Sequence, residues 1–181
     1  IERETLRMDR LVGELLSLAR IDAGLAISLT DEVDVPALLT ELVADAQLEA
    51  EQKKCRITLH VATEQKVMGN RELLRRALEN VLRNALRYSP AQGLIEIAVA
   101  AEAGAGQLSI TIADQGPGVA ADDLTAIFQP FFRSANADAF AGHGLGLAIC
   151  QRVLHAHGGT ITASKRSSAG LLVRLSLPLS T

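Results

Sequence analysis

The sequence predicts an α/β protein, a two-layer α/β sandwich with a mixed, mostly antiparallel sheet, preceded by an amphipathic helix. Three observations carry that expectation. Residues 71–89 hold the strongest helical repeat of apolar side chains, residues 94–113 and 160–177 each read as strand, glycine-containing turn, strand, and helices and hairpins follow one another in an order that a doubly wound parallel sheet does not use. With 181 residues, 48% of them apolar and 22% charged, the chain suits one such domain with a short appendage. It can bury roughly two-thirds of its unfolded surface without a disulfide or metal staple.

Taken in order, residues 1–24 place Met8, Leu11, Leu15 and Leu18 at spacings of three and four, a seam-like helix that Gly24 stops. Residues 25–35 read as a connector and residues 36–181 as the domain proper. Asp34 is placed to cap the next helix, with Pro36 in its first turn, and that helix runs to Lys53. Ile57, Leu59 and Val61 alternate with Arg56, Thr58 and His60 as a strand, and Val67 and Met68 give a brief apolar touch. In the helix that follows, Leu74, Leu78, Val81, Leu82 and Ala85 fall on one stripe. Strands at 94–101 and 107–113 flank Gly104 and Gly106, which predicts an antiparallel hairpin. A short helix near 122–128, an irregular stretch and a helix ending at Gly158 and Gly159 come next. In the last strand Leu171, Val173, Leu175 and Leu177 oppose Arg174 and Ser176, so one sheet face is buried.

Net charge is −3 and no long basic run occurs, which argues against a nucleic-acid binder. Apolar stretches fall short of the roughly 18–20 residues of a membrane helix, so a soluble polypeptide is expected. Cys55 and Cys150 form neither a CxxC pair nor part of a Cys/His cluster, which predicts free thiols in a reducing compartment and no structural zinc. The chain opens at Ile1 within a helical pattern and reads as part of something longer. Aromatics make up only 3%, with no Trp, and the four Phe are Phe128, Phe131, Phe132 and Phe140, with Tyr88 the single Tyr. The core is therefore expected to be aliphatic, with the rings kept for a site.

Four local constellations carry chemistry. Asn80, Asn84, Arg87 and Tyr88 share a helical stripe roughly 130° from the apolar one. Such a stripe fits a solvated face, but two Asn one turn apart in mid-helix cost helix propensity and suggest a further use. Asp114-Gln115-Gly116-Pro117-Gly118 closes a strand, and alternation sets Asp114 on the buried side with Leu108, Ile110 and Ile112, where a carboxylate must be paired or hydrogen-bonded. An ordinary turn fits too; so does an acceptor for a ligand amine, with Gly116 and Gly118 allowing close backbone approach. Phe128-Gln129-Pro130-Phe131-Phe132-Arg133 reads as the anchor of a loop, with Arg133 able to reach a phosphate. Gly142-His143-Gly144-Leu145-Gly146-Leu147 opens a helix, an arrangement that offers N–H groups and the positive dipole end to an anion. It is neither a dinucleotide fingerprint nor a Walker loop.

The order and joint spacing of these four segments, over about residues 31–180, resemble the asparagine, glycine and phenylalanine boxes of the sensor histidine kinases of two-component systems, whose catalytic domain has the Bergerat-type ATP-binding fold. Residues 77–90 are most similar to those of proteobacterial envelope-stress sensor kinases. The resemblance implies a protein-histidine kinase that binds ATP with Mg²⁺ and transfers the γ-phosphoryl group to a histidine, for relay to the receiver domain of a response regulator. Asp114 would accept from the adenine amine, Gly116 and Gly118 would line the base, and Tyr88 would cover the ring or ribose. Asn84 would bind Mg²⁺ with support from Asn80. Arg87, Arg133 and His143 would stand near the phosphates, and Gly142, Gly144, Leu145, Gly146 and Leu147 would shape the lid hinge and helix start. Residues 1–24 would be the end of the second dimerisation helix of a homodimer, and the whole a cytoplasmic domain of a parent in the bacterial inner membrane. None of His60, His143, His155 or His157 lies in the family's phospho-accepting context, so the chain alone is not expected to phosphorylate itself. Related ATPases of the gyrase, Hsp90 and mismatch-repair families carry Glu at the position of Asn80; they remain the alternative, beside a catalytically silent nucleotide-sensing or dimerising module.

Overall fold

The computed structural model describes residues 12, 13, 19, 28–102, 104–134 and 143–180. Residues 12, 13 and 19 are helical; the rest of the helix expected over 1–24, and with it Phe140 and Gly142, lies outside the described residues.

The elements are β1 (Asp31–Val33), α1 (Val35–Lys53), β2 (Arg56–Val61), β3 (Val67–Gly69), α2 (Arg71–Tyr88), β4 (Leu94–Glu102), β5 (Gln107–Ala113), two 3₁₀ turns (Ala121–Asp123 and Ala126–Phe128), α3 (Gly146–Ala156), β6 (Thr160–Lys165) and β7 (Leu171–Pro178). The five-stranded sheet runs β2-β4-β5-β7-β6. β2 pairs parallel to β4, and every other neighbour is antiparallel. The mixed two-layer sandwich is therefore as expected. Two details differ. The connector contains β1, which pairs antiparallel with β3 as Asp31 to Gly69 and Val33 to Val67, because Val33 has core to enter and is only 2% exposed. The short helix near 122–128 is a pair of 3₁₀ turns, in which neither turn has a side-chain cap.

Alternation and helical period place the core. Ile95, Ile97 and Val99 of β4 and Leu108, Ile110 and Ile112 of β5 are buried, as is the stripe Leu74, Leu78, Val81, Leu82 and Ala85 of α2. Burying each large aliphatic side chain contributes about 1.5–3 kcal/mol before the ordering entropy is set against it. On β7, Val173, Leu175 and Leu177 are buried, and so is Ser176 on the opposite face.

The helix ends are held by specific groups. Asp34 Oδ1 accepts from Ala37 N–H at 2.8 Å, the expected cap of α1. At the other end, Lys53 Nζ donates to the carbonyls of Leu86 and Arg87 at 2.5 and 2.6 Å, so the last turn of α1 caps the last turn of α2. Asn70 Oδ1 caps α2 through Leu73 N–H at 3.1 Å. His157, which the sequence allows as a cation or a neutral ring at the end of α3, is a neutral ring: Nδ1 donates to Val153 O at 2.7 Å and Nε2 accepts Asn70 N–H at 3.0 Å. Burial pushes its pKa down, against the bond to Val153. The close approach needs Gly69, where a Cβ would stand 2.5 Å from His157 Cδ2. Among the described residues no helix is long and apolar enough to cross a membrane. Cys55 and Cys150 are free thiols, both buried.

Candidate functional site

The site is laid out along the Asn80–Tyr88 stripe of α2: the turn that ends β5 packs at Tyr88, and the start of α3 packs at Asn80. β5 delivers Asp114 to the rim of the core, as alternation predicts, and the residue is 5% exposed. Oδ1 accepts Gly116 N–H at 2.8 Å and Leu171 N–H at 3.2 Å. Burial pushes the Asp114 pKa up, opposed by those two backbone donors and by the nearby charge of Arg166. Among the described residues Oδ2 has no hydrogen bond, so the carboxylate is fixed through one oxygen and offers the other. Gly116 joins this turn to α2: a Cβ there would stand 2.7 Å from Tyr88 O, so the end of the Asn-rich helix lies against the Asp114 loop. Gly118, at φ +70°, backs onto Gly170, whose carbonyl would be 3.2 Å from a Cβ.

The other end of the site is polar and less complete. Asn80, Asn84, Arg87 and Tyr88 are all half-buried, neither core nor fully solvated. A Cβ on Gly146 would stand 3.5 Å from Asn80 Cγ, so the first turn of α3 abuts the Asn80 amide. That amide's Nδ2 is buried and has no partner among the described residues. An unpaired buried donor costs roughly 1–3 kcal/mol and marks a place for an acceptor. The start of α3 adds more donors, because Leu145 at its N-cap gives no side-chain cap. Gly144, at φ +71°, lies on the phenylalanine segment: its carbonyl accepts Phe131 N–H at 3.0 Å, and a Cβ would stand 2.6 Å from Phe132 O.

The structure thus brings Asn80, Tyr88, Asp114, Gly116, Gly118, Gly144 and Gly146 into contact with one another's segments. Leu145 is 1% exposed and belongs to the core, where it seats the glycine turn. His143 and Leu147 are half-buried and Arg133 is exposed, while Gly142 falls outside the described residues. Of the three described phenylalanines, Phe128 is buried and Phe132 packs against the core. Phe131 corrects the sequence reading of an anchor: it is 60% exposed, at φ +65°, because its backbone turns to meet Gly144. Arg166, Gly170 and Leu171 were not singled out by sequence reasoning, yet all three touch Asp114. The only local signal was the glycine of the β6–β7 turn.

Residues 69–181 match the family described as histidine kinase-, DNA gyrase B-, and HSP90-like ATPase. The chain is 35% identical over 182 residues to the sensor histidine kinase CpxA of Escherichia coli K12, covering 99% of this chain and 39% of that one. It is 32% identical over 177 residues to the sensor-like histidine kinase SenX3 of Mycolicibacterium smegmatis, covering 97% and 46%. Full-length ShkA in complex with AMPPNP superposes with a TM-score of 0.85 at 28% identity, covering 97% of this chain and 36% of that chain. The chain therefore spans less than half the length of these relatives. The fold is that of histidine-kinase catalytic domains. The chain belongs to the family of histidine kinase-, DNA gyrase B- and HSP90-like ATPases, and its relatives are sensor histidine kinases.

Proposed function

We propose that the chain is the ATP-binding domain of a two-component sensor kinase, which holds Mg-ATP and presents its γ-phosphoryl group to a histidine on a dimerisation helix, for relay to a response regulator. The observation that carries this reading is Asn80: its amide Nδ2 is buried, has no partner among the described residues and is set against the start of α3, which has no side-chain cap, an arrangement that suits phosphate oxygens. Asp114 Oδ2 suits the amino group of adenine, with Tyr88 over the ring or ribose and Gly116 and Gly118 beside it. Asn84, one turn beyond Asn80, supplies an amide oxygen to Mg²⁺, a hard ion that keeps its remaining positions for water and phosphate. Arg87, Arg133 and His143 serve the phosphates, and Gly142, Gly144, Gly146 and Leu147 shape the turn into α3. Bound Mg²⁺ would neutralise charge on the transferring group; this chain's residues contribute orientation and charge rather than covalent chemistry.

Two features favour phosphoryl transfer over hydrolysis. Asn80 has no basicity with which to activate water. The neighbouring acid, Glu79, is engaged by Arg83 at 2.9 Å and Arg75 at 3.7 Å on another face of α2. On the same reading, residues 1–24 end a dimerisation helix, 25–35 connect it to the domain, and the parent is an inner-membrane homodimer. Labelling a separate His-bearing dimerisation hairpin with γ-labelled ATP and this chain tests the proposal. Phosphohistidine on the hairpin is expected; phosphate release by the chain alone without labelling would reverse the order in favour of an ATPase.

A further inference from the structure

Among the described residues, the hydrogen bonds that reach Asp114 from outside its own loop come from the β6–β7 turn and the first residue of β7. Leu171 makes two bonds with it: its N–H donates to Oδ1 at 3.2 Å and its carbonyl accepts Asp114 N–H at 3.0 Å. Arg166 Nη1 donates to Asp114 O at 3.1 Å. Gly170, at φ +106°, lies so close that a Cβ would stand 1.9 Å from Asp114 O. Arg166 is itself held, since Nη2 meets Glu96 Oε2 of β4 at 2.5 Å and its backbone N–H reaches Gly170 O at 3.3 Å. A guanidinium on the Asp114 carbonyl fixes the peptide plane from which the side chain springs, and Glu96 fixes the guanidinium. Neighbouring β4, through Arg166, and the β6–β7 turn thus converge on the one residue Asp114, at its backbone carbonyl and at its carboxylate.

On the reading of Asp114 as the acceptor for adenine, we propose that Arg166, braced by Glu96, is a positioning residue that sets the discrimination of adenine from guanine. A carboxylate held in register attracts the amino group of adenine and repels the carbonyl oxygen that guanine presents at the same place. A carboxylate free to turn away loses both effects. Removing Arg166 therefore weakens ATP more than GTP, whereas general damage to the fold weakens the two alike.

Calorimetric titration of the chain with Mg-ATP and Mg-GTP tests this in Arg166→Met, Arg166→Lys and Glu96→Ala. The ATP-to-GTP affinity ratio is expected to fall about tenfold in Arg166→Met, with partial recovery in Arg166→Lys. An unchanged ratio in folded Arg166→Met overturns the inference. Should that variant fail to fold, Glu96→Ala decides, because the Glu96 side chain is 42% exposed and its loss leaves the strand pairing intact: a reduced ratio supports the inference and an unchanged one overturns it. Failure of the unaltered chain to bind ATP is a separate result, which removes the nucleotide reading and this inference together.

Discussion

At Asp114 the protein supplies its own bonds: two backbone donors on one carboxylate oxygen, a guanidinium on the carbonyl, and glycine backbones packed with no room for a Cβ. Some thirty residues earlier in the chain, at Asn80, the reverse holds, with the buried amide Nδ2 unpaired among the described residues and the start of α3 lacking a side-chain cap. On the proposed reading the first end is set before any ligand arrives, with Oδ2 left to receive it, and discriminates by shape and charge at little reorganisation cost. The second carries a local energetic penalty that, on the same reading, a bound anion relieves. Substitution should therefore act with opposite sign on stability at the two ends.

The largest effect is expected from Gly170→Ala, which forces a Cβ onto the Asp114 carbonyl at a positive φ. Urea unfolding should show a loss of roughly 3 kcal/mol, with ATP binding lost in parallel. A stability within about 0.5 kcal/mol of the parent would break the idea of a rigid base end. Next, Asn84→Ala should lower Mg-dependent phosphoryl transfer about 100-fold while the thermal midpoint moves by no more than about 2 °C. A collapsed unfolding transition would mean that Asn84 serves the fold instead. Asn80→Ala sharpens the contrast: deletion of an unpaired buried amide and gain of helix propensity should stabilise the ligand-free domain by about 1 kcal/mol while weakening ATP binding about tenfold. If both quantities fall, the amide has a structural partner and the two ends are not opposites.

The smallest effect is in pH. Burial lowers the His157 pKa, so its share of stability is present above about pH 6.5 and declines as the pH falls through its depressed folded value. Asp114 runs the other way, because burial raises its pKa, and the cost of the ionised form is relieved as the pH falls through its raised folded value. Unfolding free energies measured from pH 8 to 5 should therefore drop below pH 6.5 in the parent and stay flatter in His157→Gln. Equal slopes would remove His157 from the account.

Much of this was legible in the sequence because faces and caps are local. The α2 stripe, the Asp34 cap and the rim position of Asp114 follow from periods of 3.6 and 2 and from capping chemistry. What stayed hidden depends on register between distant segments. Arg166 meets Asp114 across 52 residues and His157 meets Asn70 N–H across 87, and neither contact leaves a periodic mark. β1 reads as connector in the sequence because three residues are too few to show alternation, and Phe131 as an anchor because its backbone turn toward Gly144 is not written in its neighbours.

The His157 to Asn70 bond has a mechanical consequence. Near its start α3 touches the middle of α2 at Gly146 and Asn80, and just past its end it is tied to the cap of α2 through His157 and Asn70. Fastened near both ends, the two helices behave as one strut roughly 16 Å long. They cannot slide along each other without breaking this part-buried hydrogen bond. Asn70 also reaches back through Nδ2 to Ser28 O at 3.5 Å, where the described chain enters the domain. The strut thus joins the polar end of the site to the point of entry of the chain, and a ligand that settles the first turn of α3 acts on a beam whose far end rests beside Ser28.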